Sequence, residues 1–188
     1  MASQVGKSET SVDVAGFLAR LNGETPRGRI LLEAGLLEDL LRGAILRRLA
    51  RNKSSDELFG EKCVLGLTVL AKYSHAFALI GDQELAALKL FADARNKIAH
   101  SWKTDFTNPE VQRIAEKMQI INVLGESSVE PHQRCYARLD YFGAFMTEEL
   151  LNRFSAMPPT AFVGGVFLTS LVVDPTTGNR TKKVSTPK

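Results

Sequence analysis

Cysteine is nearly absent from this chain. Cys63 and Cys135 are the only two among 188 residues, far apart and without a Cys-x-x-Cys neighbour. They build neither a disulfide framework nor a zinc site, and each reads as a small buried hydrophobe. Histidine is as scarce: His75, His100 and His132 lie on three separate segments, so no metal and no cofactor is expected. An excess of one charge is also missing. The 24 Lys and Arg stand against 21 Asp and Glu, a net of +3, which without local clustering does not argue for nucleic acid. No apolar run approaches the ~18 residues of a membrane span. Met1 to Asp13 has no apolar stretch behind a basic one, so no signal peptide is expected and the implied compartment is cytoplasmic. The matches to the glycosylation pattern at Asn52 and Asn179 are then accidental.

The content that remains is that of a globular domain. Hydrophobic residues make up 44% and charged residues 24%, near the averages for soluble folds. A chain of this length suits one domain that can bury a core without a staple. Residues 1–11 are small and polar and read as a disordered leader. A helical domain spans 12–157, and a C-terminal extension covers 158–188.

Within the domain the apolar period is near 3.6 rather than 2. A short helix is expected from about Val12 to Leu21, capped by Ser11. After the break at 22–26, Leu32, Leu36, Leu37, Leu40, Leu41, Ala44, Ile45 and Leu49 mark a helix over 27–51, with Glu38 and Arg42 spaced as an i,i+4 pair. Ser55 or Asp56 is placed to cap the next element. Residues 58–79 hold one helix or two short ones, the first half weakened by Gly60 and Gly66. Asp82 is the expected cap of a helix over 83–101. Asn108 and Pro109 start another that runs to about Asn122, and Pro131 opens a long helix to about Ala156. Pro158-Pro159 ends the helical region. Residues 167–173 are β-branched and apolar, followed by turn residues and a basic stretch, so a short β-hairpin or a flexible tail is expected there. The fold class is all-α: an up-and-down helical bundle. Leu31, Leu32, Leu36 and Leu37 cover nearly a full turn, and a helix apolar all round must be buried on several sides. That predicts a central helix or a dimer face, and a homodimer.

Several familiar motifs fail on context. Gly6-Lys7-Ser8 lacks the earlier glycine and the strand of a phosphate-binding loop. Gly164-Gly165 follows a helix. No His-Glu-x-x-His or Gly-x-Ser-x-Gly occurs. Arg42, Arg47, Arg48, Arg51 and Lys53 read as a solvated helix face rather than a binding patch, and no platform of interleaved aromatics marks a single-strand RNA binder.

The informative segment is Asp93 to Trp102. On a wheel at about 100° per residue, Leu85, Leu88, Phe91, Ala92, Ile98, Ala99 and Trp102 share one arc, and Arg95 falls near its middle. A guanidinium there needs a partner; Glu33, Glu38 and Asp39 are the candidates. Lys89, Asp93, Asn96 and His100, spaced 4, 3 and 4, line the edge of the arc and are expected to border a groove. That edge offers an imidazole that titrates near neutral pH, an amide and a carboxylate on one rigid element. A structural reading competes: His100 suits the negative end of a helix dipole, and Arg95 suits an anchor.

Arg95-Asn96-Lys97-Ile98-Ala99-His100 resembles the Arg-Asn-x-x-x-His motif of HEPN domains. The surroundings, from about Leu31 to Ile121, resemble the bacterial mannitol-operon repressor family within that group: the leucine-rich helix ending in Arg47-Arg48-Leu49, the Phe59-Gly60 turn and the Leu79-Ile80-Gly81-Asp82 junction. The resemblance implies an all-α bundle of HEPN type, often dimeric. It implies a regulatory protein acting in transcriptional regulation through an unidentified protein partner, with no DNA-reading helix and no enzymatic activity favoured. The alternative it implies is a metal-independent endoribonuclease acting on RNA. There His100 would move the proton of the ribose hydroxyl or leaving oxygen and Arg95 would hold the phosphate, with Asn96 completing the catalytic set. Arg95 and His100 are about 140° apart on a regular helix, so one straight helix does not aim both at one phosphate.

Overall fold

The computed structural model describes residues 14–49, 52–60, 62–100, 104–118, 129–155, 172–173 and 180–181. Among these the chain is an all-α bundle. Its helices are α1 (Val14–Gly23), α2 (Pro26–Arg48), α3 (Lys53–Phe59), α4 (Leu67–Ala76), α5 (Asp82–His100), α6 (Pro109–Lys117) and α7 (Pro131–Ser155). Val172–Val173 (β1) pairs antiparallel with Arg180–Thr181 (β2) in a two-residue ladder. The leader, the Ser11 cap, Trp102, the 125–128 loop and most of the extension lie outside the described residues.

α2 is the central helix. It packs against α7, α4 and α5, which is why its leucines are needed on more than one side. Ile30, Leu37, Leu41 and Ile45 are fully enclosed, as are Leu70 of α4, Leu88, Phe91 and Ile98 of α5, and Leu139 and Leu150 of α7. Burying each such side chain contributes about 1.5–3 kcal/mol. Phe91 and Phe142 meet near the middle of this core, ring centroids 5.2 Å apart.

The ends of the elements follow local chemistry, with some corrections to the sequence reading. Thr25 caps α2 by accepting from the Gly28 N–H, and Pro26 sits at the first position, where its missing N–H has no partner to lose. Asn108 caps α6, its side chain accepting from Glu110 and Val111. α2 ends at Arg48, and the cap of α3 is Asn52, not Ser55 or Asp56. Ser55 instead supplies the reciprocal half of a capping box with Asn52. Residues 58–79 hold one helix of their own, α4 from Leu67 to Ala76, while α3 ends at Phe59, and Gly60 and Gly66 stand at the boundaries. Asp82 is not a cap but lies inside the first turn of α5. The Gly81 N–H donates to Glu84 Oε2, while Asp82 pairs with His75 at 2.8 Å. α6 ends at Lys117. The left-handed residue that ends α4 is Ala78 (φ 53°) rather than a glycine, with the Leu79 N–H returning to the Ser74 carbonyl.

The i,i+4 pair expected of Glu38 and Arg42 gives way to longer reach. Arg42 donates to the carbonyls of Phe59, Gly60 and Cys63, the last at 2.7 Å, and so clamps the α3–α4 connection onto α2. Arg47 donates to the Phe154 carbonyl at the end of α7. Two of the five basic residues read as a solvated face therefore hold the bundle together.

Candidate functional site

α5 carries the Arg-Asn-x-x-x-His motif in its last two turns. Leu88, Phe91, Ala92 and Ile98 are buried in the core, and at about 100° per residue Arg95 falls within their arc. Arg95 keeps 29% of its side-chain surface and places Nη2 3.7 Å from Glu38 Oε1 on α2. Its Nη1 donates to Asn96 Oδ1 at 3.0 Å. Arg95 Nε is buried without an acceptor among the described residues. Glu38 is itself fixed, because Oε1 accepts the Leu67 N–H at 2.9 Å at the start of α4. One carboxylate thus ties α2, α4 and α5 together, and Arg95 answers its charge. Of the three candidate partners, Glu38 takes the role.

The edge residues lie where the wheel puts them. Lys89, Asp93 and His100 are exposed and Asn96 is half-buried. One cleft of the described surface lies elsewhere than the edge these residues form. The cleft lies between α6 and α7, lined by Gln112, Glu116, Arg134, Cys135 and Arg138, and none of the motif residues enters it. Cys135 is the one nucleophile there. Burial pushes its thiol up to about 12, so it stays protonated and inert at neutral pH. Cys63 is half-buried. Lys97, inside the motif, pairs with Glu110 of α6 at 2.6 Å. That hydrogen bond raises the ammonium and lowers the carboxyl. Arg27 Nη2 reaches the Ala99 carbonyl at 3.4 Å, so the motif turn is braced from α2 as well.

Chemically, the arrangement brings Arg95 and Asn96 together and leaves His100 apart, one turn on and turned to solvent. The guanidinium is engaged by Glu38 and Asn96, and a phosphate would compete with both. Among the described residues no group of His, Cys, Asp and Glu is disposed to hold a metal ion, and no helix is long and apolar enough to cross a membrane.

The sequence reading named Glu33 only as a partner for Arg95. The structure gives it another place. Glu33 is 1% exposed, and neither carboxyl oxygen has a partner of hydrogen-bond geometry among the described residues. It lies under Gly143 of α7, where a β-carbon would collide with Glu33 Oε2 and lie 2.7 Å from Cδ. Beside it, Arg29 holds Asp140 with two hydrogen bonds of 2.7 and 3.3 Å, and Tyr136 donates to Asp140 at 3.2 Å. Burial, reinforced by the Asp140 charge, raises the Glu33 carboxyl to about 9 despite the opposing Arg29, so it is neutral at pH 7. The signal available in the sequence was its period: Glu33 falls three residues after Ile30 and four before Leu37.

Comparison with known proteins yields no match: no family model, no curated protein and no solved structure aligns with the chain.

Proposed function

We propose that the chain is a regulatory binding module of the mannitol-repressor-like group, acting in transcriptional regulation through a protein partner rather than by reading DNA. What supports the kinship is the Arg-Asn-x-x-x-His motif at the end of α5 within an all-α bundle. The observation that favours binding over catalysis is the engagement of Arg95 with Glu38 and Asn96. A guanidinium that answers the carboxylate tying three helices together is a poor phosphate ligand, because freeing it leaves Glu38 without its counter-charge. The exposed edge of Lys89, Asp93 and His100 is then a recognition surface.

The second reading, a metal-independent endoribonuclease, draws on the solvent exposure of the His100 imidazole at the end of the motif. It requires Arg95 to leave Glu38, or an arginine from another molecule. One incubation separates the two. Purified protein with mixed RNA in EDTA is expected to leave the RNA intact; cleavage that disappears in His100→Ala would overturn the binding reading. In its host, loss of the chain is expected to change transcript levels, and Lys89→Glu or His100→Ala protein, altered on the recognition surface, is expected to restore them less well than the wild type. Transcript levels indifferent to the chain would remove the regulatory role.

A further inference from the structure

We infer that the outer face of α7 is the two-fold interface of a homodimer in which two copies of this helix pack antiparallel. The inference is independent of the role proposed above. It begins with Tyr141 and Phe145, 40% and 47% exposed, on successive turns of α7. Their rings stack on each other, centroids 6.2 Å apart and planes 12° from parallel. Two large aromatic side chains side by side on a solvent face form a contiguous patch rather than scattered apolar residues.

The order of charges along the same helix identifies what covers it. Arg134 and Arg138 precede the aromatic pair, and Glu148 and Glu149 follow it. At about 100° per residue, Arg134, Tyr141, Phe145 and Asn152 fall along one line down the helix. Arg138 and Glu149 lie to the same side of that line. A two-fold axis at the level of Gly143, perpendicular to the plane of the two helices, reverses the order of residues and keeps each on its own side. Arg138 lies five residues before Gly143 and Glu149 six after. The axis therefore sets Arg138 of one copy opposite Glu149 of the other, within one residue's rise of about 1.5 Å. The aromatic pairs meet at the centre. A parallel pairing would set arginine against arginine and glutamate against glutamate. The helix is thus complementary to itself in one orientation only, which is what a two-fold, isologous interface requires.

Arg138 also borders the α6–α7 cleft, so the interface runs up to that cleft from the α7 side. An interface resting on one helix pair is at the small end of stable assemblies, and association on the order of micromolar is expected.

The test is sedimentation equilibrium of the full chain from low to high micromolar concentration. The wild type is expected to pass from monomer to dimer. Phe145→Glu is expected to remain monomeric over the same range with an unchanged far-ultraviolet circular dichroism spectrum. Arg138→Glu is expected to weaken association about tenfold or more, and combining it with Glu149→Arg to restore the dimer. The charge swap decides the matter even if Phe145→Glu does not fold. A wild type that stays monomeric throughout, a dimer undiminished by Phe145→Glu, or a swap that fails to recover association would each overturn the inference.

Discussion

Replacing Glu33 by glutamine should change how the stability of this protein depends on pH. The carboxyl is enclosed by α2 and α7, has no partner of hydrogen-bond geometry among the described residues and sits beside Asp140, with Arg29 and Tyr136 completing the polar cluster. Burial raises it from 4.5 to about 9. A raised acid stabilises the fold fully below its unfolded value, and that contribution is lost as pH rises toward the folded value, because the folded state holds a proton that the unfolded chain has released. Each unit within this window corresponds to about 1.4 kcal/mol, so Glu33 alone removes roughly 3 kcal/mol between pH 5 and pH 7. The amide of the Glu33→Gln variant has no such proton. Urea denaturation of both proteins at pH 5, 6, 7 and 8 should show the variant gaining on the wild type by about 1.4 kcal/mol per unit. Taking the difference cancels every other titrating group that the two proteins share. Parallel profiles from pH 5 to 8 would refute the reasoning: Glu33 would then be ionised in the folded state, or solvated in a way its enclosure under Gly143 does not allow.

Other expectations rest on equally local geometry. Gly143→Ala places a β-carbon against the Glu33 carboxyl and should lower stability by about 1–3 kcal/mol, with a smaller loss in a Glu33→Ala background, as measured by thermal or urea unfolding. Ala78 bears the strain of a left-handed backbone at φ 53°, so Ala78→Gly should raise stability by about 0.5–1 kcal/mol; a loss in chemical denaturation would contradict that. His100→Ala removes an exposed side chain and should leave the stability within about 0.5 kcal/mol, whereas a clear fall in melting temperature would mean that the imidazole supports the fold.

Much of the bundle was legible because its signals are short-range. Asn108 and Pro109 mark a helix start through bonds made within three residues, and the leucines of α2 announce a central helix by crowding more than one face. What the sequence concealed was competition between neighbours. Gly81-Asp82-x-Glu84 offers two carboxylates for one helix start; Glu84 takes the Gly81 N–H because His75, on another helix, draws Asp82 away. Glu38 and Arg42 are well spaced to pair, yet Arg42 finds three carbonyls where α3 ends and Glu38 finds Leu67 and Arg95. The wheel of α5 placed Arg95 among apolar neighbours and Lys89, Asp93 and His100 at the margin, since both follow from the helical period alone. It could not foresee the cleft lined by Gln112, Arg134 and Arg138, which depends on how α6 meets α7. Glu33 escaped for a similar reason. Its burial depends on the missing side chain at Gly143, far along the chain, and no local pattern couples the two.

The central claim is that Arg95 is an anchor tied to Glu38, and a double-mutant cycle tests it most directly. Arg95→Met, Glu38→Gln and the combined variant would be compared with the wild type by urea denaturation at pH 7. An ion pair that is mostly shielded from water, with the carboxylate also bonded to the Leu67 N–H, predicts a coupling of about 1–3 kcal/mol, so that the double variant loses less than the sum of the two single losses. Additive losses, with a coupling under about 0.3 kcal/mol, would contradict the account and return Arg95 to the pool of groups available for phosphate.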